Sequence, residues 1–314
     1  MKIDWPSIAS MTVFRVLILG SALASGTPAI FSHALSSDPK LLSLVPPGAR
    51  VVAGMDRPGP KGQPGSFVLM PHKNIVDLRD FFSLTGVDST RAVGHAVFVA
   101  NDDETLNERS LLMSGHFDQA AIYRSAVEGG ARIIQYRGIA VLVIEAFARE
   151  RGEMEDDRWL AVLDSDVLLF GSVIAVREEL DRYLAHSKPD PLLVHKLARL
   201  RCDDETWTVL SRTALTPEVR KALVTLDPKL ADRAANADGF QFGIRYGRQV
   251  EFEYEASADS NSVPQSPTQS IFVPGQEAAL LPSVNMIGDG GAARRVVKIP
   301  RAKFRAWLEE AIGP

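Results

Sequence analysis

The sequence contains very little cysteine, since Cys202 is the one thiol in 314 residues. A single cysteine excludes an intramolecular disulfide, and it leaves no cysteine for lipid attachment behind an export signal. A lone thiol can pair between two chains. We favour a buried and chemically inert Cys202, because free cysteine is among the most buried residue types.

An excess of charge of one sign is also lacking. The chain has 35 basic and 39 acidic residues, which gives a net charge of -4. This imbalance is too small to predict nucleic acid or an anionic membrane as the main partner. With 46% hydrophobic and 24% charged residues, the composition is that of a globular protein with one large or two modest domains.

One apolar run stands out, at residues 16–24 near the N-terminus, after two basic residues and before a stretch of small ones. This order is typical of a secretory signal peptide, and cleavage fits after Ala24 or Ala34, with Met11 as an alternative start. The alternative is an uncleaved anchor, but the run falls short of the roughly 20 apolar residues that a membrane span needs. We therefore predict an exported protein, periplasmic or secreted.

Motifs for catalysis and for metal or nucleotide binding are missing as well. The histidines do not occur at metal-ligand spacings, and no nucleophile elbow surrounds Ser114 or Ser172. The glycines of loop 58–66 match no phosphate-binding pattern. Acidic clusters without the alternating ligands of a calcium loop indicate solvated loops, at 102–104, 153–157 and 203–205. The sequence predicts no cofactor and no bound metal.

One catalytic alternative stays open. His95 and His116 lie on two strands that we expect to be neighbours, and Asp118 follows two residues later. Such a trio can form a divalent-metal site or an acid/base site. We favour the interpretation that these residues merely turn the chain at strand ends, and we assign no catalytic residue.

Residues 157–185, DRWLAVLDSDVLLFGSVIAVREELDRYLA, form the clearest structural unit of the chain. Apolar runs at 159–163 and 167–170 flank a turn of aspartate and serine, which predicts a tight hairpin. Apolar residues then recur at helical spacing as far as Leu184, which predicts an amphipathic helix on a sheet. Its other face is expected to carry the charged residues Arg177, Glu178, Glu179, Asp181 and Arg182.

Upstream of this unit the patterns predict four strands and two helices. The strands are expected at 49–55, 92–100, 110–117 and 138–145, and the helices at 75–84 and 119–128. The order βαββαβ is that of a ferredoxin-like fold. We predict the α+β class, with antiparallel sheets, helices packed on one face and ferredoxin-like βαββαβ elements.

Five segments follow one another in a recognisable order: PPGARVVAGMD at 46–56, FFSLTGVDSTR at 81–91, SLLMSGHFD at 110–118, YRGIAVLVIE at 136–145 and LAVLDSDVLLFGSVIAVREELDR at 160–182. They resemble the landmarks of a group of uncharacterised exported bacterial proteins that is common in acidobacteria. The resemblance covers residues 41–255. It implies a fold type and export, and no activity.

The rest of the chain predicts a second unit and a tail. The expected elements are a helix at 191–200, a strand at 206–212, helices after Thr216 and Asp227, a hairpin at 240–246 and 249–255, a strand at 295–299 and a helix at 302–312. We predict five segments: a signal peptide at 1–34, a first α+β unit at 35–187, a second α+β unit at 188–257, a Ser/Pro/Gln-rich loop or linker at 258–293, and a C-terminal strand and amphipathic helix at 294–314.

The C-terminal segment is the one local charge anomaly. It combines six basic residues without an acid, namely Arg294, Arg295, Lys298, Arg301, Lys303 and Arg305. Such an element can contact an anionic surface, for example lipid headgroups or an acidic partner. We favour a surface strand and a core-facing helix with basic solvent faces.

Two functional hypotheses follow. The favoured one is an exported, non-catalytic binding or structural protein of the bacterial cell envelope, with an envelope ligand or protein as its partner. The rival is an exported hydrolase whose site is assembled from distant loops, with His95, His116 and Asp118 as its candidate residues.

Overall fold

The computed structural model of the protein describes residues 38–56, 76–101, 109–145, 157–200, 206–215, 217, 220, 237, 239–246, 249–257, 285–289, 292–300 and 302. Several predictions lie outside these residues. They are the signal peptide at 1–34, the loop at 58–66, Cys202, the helices after Thr216 and Asp227, and nearly all of the helix at 302–312.

Twelve strands form one sheet in the described part of the chain, in the order β11-β12-β10-β9-β8-β1-β2-β3-β7-β6-β5-β4. The strands are β1 Val51–Asp56, β2 Val93–Ala100, β3 Arg109–Gly115, β4 Arg132–Tyr136, β5 Ile139–Ile144, β6 Arg158–Leu163, β7 Val167–Ser172, β8 Thr206–Ser211, β9 Gly239–Tyr246, β10 Gln249–Ser257, β11 Asn285–Asp289 and β12 Ala292–Pro300. Each pairing between neighbours is antiparallel.

Six α-helices accompany the sheet within the described residues. They are α1 Pro39–Leu44, α2 Val76–Thr85, α3 Ser89–Ala92, α4 Gln119–Glu128, α5 Val173–Leu184 and α6 Pro191–Leu197, and a short 3₁₀ helix covers Arg212–Ala214. Aspartate or serine caps several of the N-termini, since the side chains of Asp38, Asp118, Ser172 and Asp190 accept hydrogen bonds from amides of the first turn.

The predicted unit at 157–185 is confirmed as β6, β7 and α5. The β6–β7 turn is closed by a 3.2 Å hydrogen bond from the amide of Asp166 to the carbonyl of Leu163. Asp164 and Ser165 between them have φ of 50° and 59°. Two successive positive φ values define the type I′ turn, whose twist matches that of the flanking strands.

Strand β6 shows how the sheet is buried on both faces. Trp159, Ala161 and Leu163 point into a core that also contains apolar side chains of α1, α5 and α6. Leu160 and Val162 point the other way, into a core with apolar side chains of α2 and α4. Because successive strand residues face opposite sides, a continuous apolar run is needed where helices cover both faces.

The predicted fold class is wrong in two respects. Helices cover both faces of the sheet rather than one. A βαβ unit requires parallel strands, whereas β1 and β2 pair directly in antiparallel register, with Val51 opposite Ala100, although α2 and α3 lie between them in the chain. The described protein is dominated by one antiparallel sheet and has no ferredoxin-like arrangement among its described strands.

Strands from both predicted α+β units belong to the same sheet. Strand β1 pairs with β8, so that Val52 lies opposite Val209. The predicted hairpin at 240–255 is confirmed as β9 and β10, which continue the sheet beyond β8. Strand β11 lies within the segment 258–293 that we expected to be a loop or linker, and it pairs with β12.

The β9–β10 hairpin carries different kinds of side chains on its two faces. One face is aromatic, with Phe240 stacked on Tyr254 at 5.7 Å between ring centroids and Phe242 against Phe252 at 5.0 Å. These rings are buried. They supply the apolar surface that stabilises this part of the sheet.

Gly54 and Trp207 form a close contact where β1 meets β8. The two residues are opposite each other in the register, and Trp207 is buried. The indole ring lies over Gly54 so closely that a Cβ built there would be 2.0 Å from Cζ2 of Trp207. Glycine is therefore required at this position by packing.

We expect Gly54→Ala to destabilise the protein by about 3 kcal/mol, because the ring of Trp207 must move from its site in the core. Gly94→Ala is the matched control, since the nearest atom to its Cβ is the carbonyl oxygen of Ser114 at 3.5 Å, an ordinary contact. Urea unfolding of both variants measures the difference. Equal stabilities for the two variants would contradict the packing described here.

Candidate functional site

The candidate trio His95, His116 and Asp118 lies around β2 and β3. His95 is within β2, while His116 follows the end of β3 and is exposed. Asp118 is the N-cap of α4, and its Oδ1 accepts the amide of Ala121 at 3.0 Å. The carboxylate of Asp118 therefore has a structural role that sequence reasoning missed, although aspartate before a helix is a capping signal.

The structure gives Ser114 a histidine neighbour that the sequence did not reveal. Ser114 of β3 lies opposite His95 in the pairing of β2 with β3. Ser114 is only 5% exposed, however, and a buried hydroxyl offers a substrate little access. The other serine considered, Ser172, caps α5 by accepting the amide of Ala175 at 3.3 Å.

Metal ligands are not clustered in the described part of the chain, where no group of three or more His, Cys, Asp or Glu side chains can hold an ion. No helix among the described residues is long and apolar enough to cross a membrane.

Glu179 is the most unusual titratable group described. We expected it on the charged face of its helix, but it is fully buried between α5 and β3, where Ser110 donates a hydrogen bond to its Oε1. No hydrogen-bond partner reaches its Oε2. Burial raises the pKa of Glu179 to about 8, and the hydrogen bond from Ser110 opposes this only in part.

Helical spacing explains why Glu179 is buried. Val176 and Leu180 are buried on the same helix, three residues before and one residue after Glu179. Residues at i, i+3 and i+4 share a helix face, so Glu179 lies among the apolar residues. The spacing of Glu179 predicts that it is buried, whereas the charge of its side chain predicts that it is exposed.

A second cluster of polar side chains surrounds the β6–β7 turn. Lys40 of α1 forms an ion pair with Asp166, and Tyr183 of α5 donates a 2.7 Å hydrogen bond to Asp164. That hydrogen bond raises the pKa of Tyr183 to about 12. Both contacts attach helices on one face of the sheet, α1 and α5, to the turn. These polar side chains therefore have a structural role.

Strand β10 carries a row of glutamates, Glu251, Glu253 and Glu255, on the face opposite the aromatic rings. Glu251 pairs with Arg245 and, at 3.0 Å, with Lys298, while Glu255 pairs with Arg199. Lys298 belongs to the basic C-terminal segment. Part of that segment is therefore engaged in neutralising carboxylates of the same chain.

The edge strand β4 is the surface feature that remains. Strand β4 is the last strand of the described sheet and pairs with β5 alone within it. Alternate amides and carbonyls of such a strand point away from the sheet. Sequence analysis missed β4, whose five residues RIIQY are mostly exposed and follow no strict alternation.

Tyr136 at the end of β4 is held by charged groups of α5 and by Arg137. Its hydroxyl donates to Asp181 at 2.9 Å, and the guanidinium groups of Arg137 and Arg177 lie 5.7 Å and 5.5 Å from its ring centroid. Arg137 also pairs with Asp181 at 3.3 Å. These contacts fix the edge strand against α5.

Exposed aliphatic side chains occur on β4 and on the helices α4 and α5. Ile133 on β4 itself is 50% exposed, and Val127 near the end of α4 is 45% exposed. Ile174 on α5 is 58% exposed and shares a helix face with Arg177 and Asp181, the residues that contact Tyr136. Three of the five large aliphatic side chains exposed in the described residues thus lie on β4 or on the helices beside it.

Comparisons with known proteins assign no family to this chain. No family model and no curated protein matches the chain. A solved structure titled "Structure of crystal form I of TP0453" is similar over 88% of this chain and 98% of its own, with a TM-score of 0.45 and 11% identity.

We expect Glu179→Gln to remove a pH-dependent loss of stability. Below pH 4.5 the carboxyl is protonated in both states, and between pH 4.5 and 8 only the unfolded chain ionises. The free energy of unfolding of the wild type therefore falls by about 1.4 kcal/mol per pH unit in this window through Glu179. Urea unfolding at pH 5 and pH 7.5 tests this.

Relative to the wild type, the free energy of unfolding of the variant should rise by about 3 kcal/mol from pH 5 to pH 7.5. Glu178→Gln, which changes an exposed carboxyl on the same helix, is the control and should show a small change. A difference between wild type and Glu179→Gln that is the same at both pH values would refute the raised pKa.

Proposed function

We propose that the protein is an exported, non-catalytic binding protein of the bacterial cell envelope, and that it contacts its partner through the edge strand β4. The observation that carries this proposal is the position of β4 as the last strand of the described sheet, with Ile133 on it 50% exposed. We call β4, together with the exposed side chains Val127 of α4 and Ile174 of α5, the β4 edge.

An unpaired edge strand is a template for another strand, because its free amides and carbonyls can continue the sheet. Proteins that avoid such pairing shorten the strand or place proline, charge or a bulge on the edge. Strand β4 carries one charge, Arg132, which is paired with Glu145, and it has neither proline nor a bulge, since its pairing with β5 is regular over all five residues. The β4 edge therefore favours binding of an extended segment.

Catalysis is the less favoured function. Asp118 is engaged as the cap of α4, and Ser114 beside His95 is buried, so neither candidate residue is placed to act on a substrate. The polar groups at the β6–β7 turn bind parts of the fold to each other.

Export is supported by the sequence. The apolar run at 16–24 with its small-residue exit is typical of a signal peptide, and the resemblance to exported bacterial proteins agrees with it. The envelope is accordingly the compartment in which we expect the partner of the β4 edge.

The test uses a photo-crosslinking amino acid at position 133 of the full chain, expressed in a bacterial host with its own N-terminus. We expect the exported protein to be shortened at the N-terminus and to form a defined covalent adduct from position 133 on illumination. The same amino acid at Leu192, which is 59% exposed on α6, is the control and should give no adduct.

Two results would overturn the proposal. Adducts of equal yield from positions 133 and 192, or from neither, would show that the β4 edge is not a binding surface. Full-length protein retained in the cytoplasm would contradict the proposed location in the cell envelope.

A further inference from the structure

We infer that the β4–β5 hairpin is a hinged arm of the sheet, which pivots about its junction with β6, and that Gln119 and Tyr123 of α4 form the latch that holds it closed. The arm comprises residues 132–144, and the latch is these two side chains. The inference goes beyond the proposed function and does not depend on what binds the β4 edge. Because β4 belongs to the arm, the latch also determines where this edge lies.

The junction between the arm and the rest of the sheet is short. Within the described residues, β5 pairs with β6 over three positions, from Ile144 opposite Arg158 to Leu142 opposite Leu160. Inside the arm, β4 and β5 pair over five positions, and beyond the junction β6 and β7 pair over six. The hydrogen bonds of the ladder therefore hold the arm together more firmly than they attach it to β6.

Two side chains of α4 take the place of the ladder where the pairing of β5 with β6 stops. Two residues further along, the register would bring Ala140 opposite Val162. The hydroxyl of Tyr123 lies between them, since it donates to the carbonyl of Ala140 at 2.7 Å and accepts from the amide of Val162 at 3.4 Å. Nε2 of Gln119 donates to the carbonyl of Val162 at 3.5 Å. Both backbone groups of Val162 are thus bound by the latch.

Helical spacing and strand alternation place the latch at this break. Gln119 and Tyr123 are four residues apart on α4 and share one helix face. Leu142 and Val162 belong to the core beneath α4, and Ala140, two residues from Leu142, faces the same side of the sheet. Burial raises the pKa of Tyr123, so its hydroxyl keeps the proton that it donates.

Burial decreases toward the tip of the arm. Val141 and Leu142 of β5 are 0% exposed, whereas Ile139 and Ala140 are half-buried, and Arg137 in the turn is exposed. Segments that bury little apolar surface open at a low cost in free energy. The tip is therefore the part that opens, and the buried base at the junction with β6 is the hinge.

The other face of the tip is attached to α5 by more exposed contacts. Arg137 and Asp181 form an ion pair in which the two side chains are 61% and 40% exposed, and such pairs stabilise only weakly. Tyr136 donates to Asp181, and its ring lies 5.6 Å from that of Trp159. Opening must separate these groups as well, so the closed arm predominates in the wild type.

The test measures opening by alkylation of a buried thiol with iodoacetamide, in the full chain carrying Cys202→Ser. Val141→Cys places the thiol in β5, one residue beyond the last pair with β6, where it reacts when the arm opens. Val209→Cys places it in β8, near the middle of the sheet, where it reports unfolding of the whole protein.

Tyr123→Phe removes the hydroxyl of the latch and keeps the ring. We expect the alkylation rate at position 141 to rise about tenfold, because the bridge between the two strands is lost, and the rate at position 209 to rise by a smaller factor. Tyr183→Phe is the matched control. It removes a tyrosine hydroxyl that donates at 2.7 Å to Asp164, outside the arm, and should leave the rate at position 141 unchanged.

Three results would overturn the inference. The first is an unchanged rate at position 141 in Tyr123→Phe. The second is an equal increase at positions 141 and 209, which is the result of a general loss of stability. The third is an equal increase at position 141 in Tyr123→Phe and Tyr183→Phe, which would show that the latch has no special role.

Discussion

The pairing of β1 with β8 is the constraint on which the rest of the structure depends. It joins strands that are more than a hundred and fifty residues apart in the chain, and the ring of Trp207 packed over Gly54 closes the junction. Because of this pairing, the described strands form one sheet with two ends instead of two sheets with four. The ends are β4 and β11, so the single sheet determines where backbone groups are available to a partner.

The polar contacts between elements and the surface of the β4 edge serve different purposes. Glu179 with Ser110, and Lys40 with Asp166, connect helices to the sheet or to its turns. Glu251 and Glu255 of β10 are balanced by arginine and lysine of neighbouring elements. Such pairing is needed because isolated charge is costly away from water. The β4 edge, by contrast, has aliphatic side chains in water, which is the arrangement expected for a contact surface.

Local patterns predicted many elements, and they did not predict pairing. Helix α4 was expected at 119–128 and is observed there, and the β6–β7 hairpin followed from its apolar runs and its turn residues. The antiparallel pairing of β1 with β2 was missed, because the order of helices and strands along the chain does not specify which strands are neighbours. Strand β4 was missed because a short exposed edge strand needs no alternation of apolar and polar residues.

The candidate site was harder to predict for a similar reason. Histidines and aspartates attract attention as chemistry, but Asp118 is a helix cap, and the location of Ser114 opposite His95 depends on a register that the sequence does not contain. Glu179 could have been found from its spacing to Val176 and Leu180. The β4 edge could not, since its exposure is a property of the whole sheet.

Hydrogen–deuterium exchange of the β4 amides tests most directly whether this edge offers backbone groups to a partner. The β4 amides should exchange quickly, while β1 and β8 stay protected because they lie in the middle of the sheet. Protection of β4 equal to that of β1 and β8 would contradict the account.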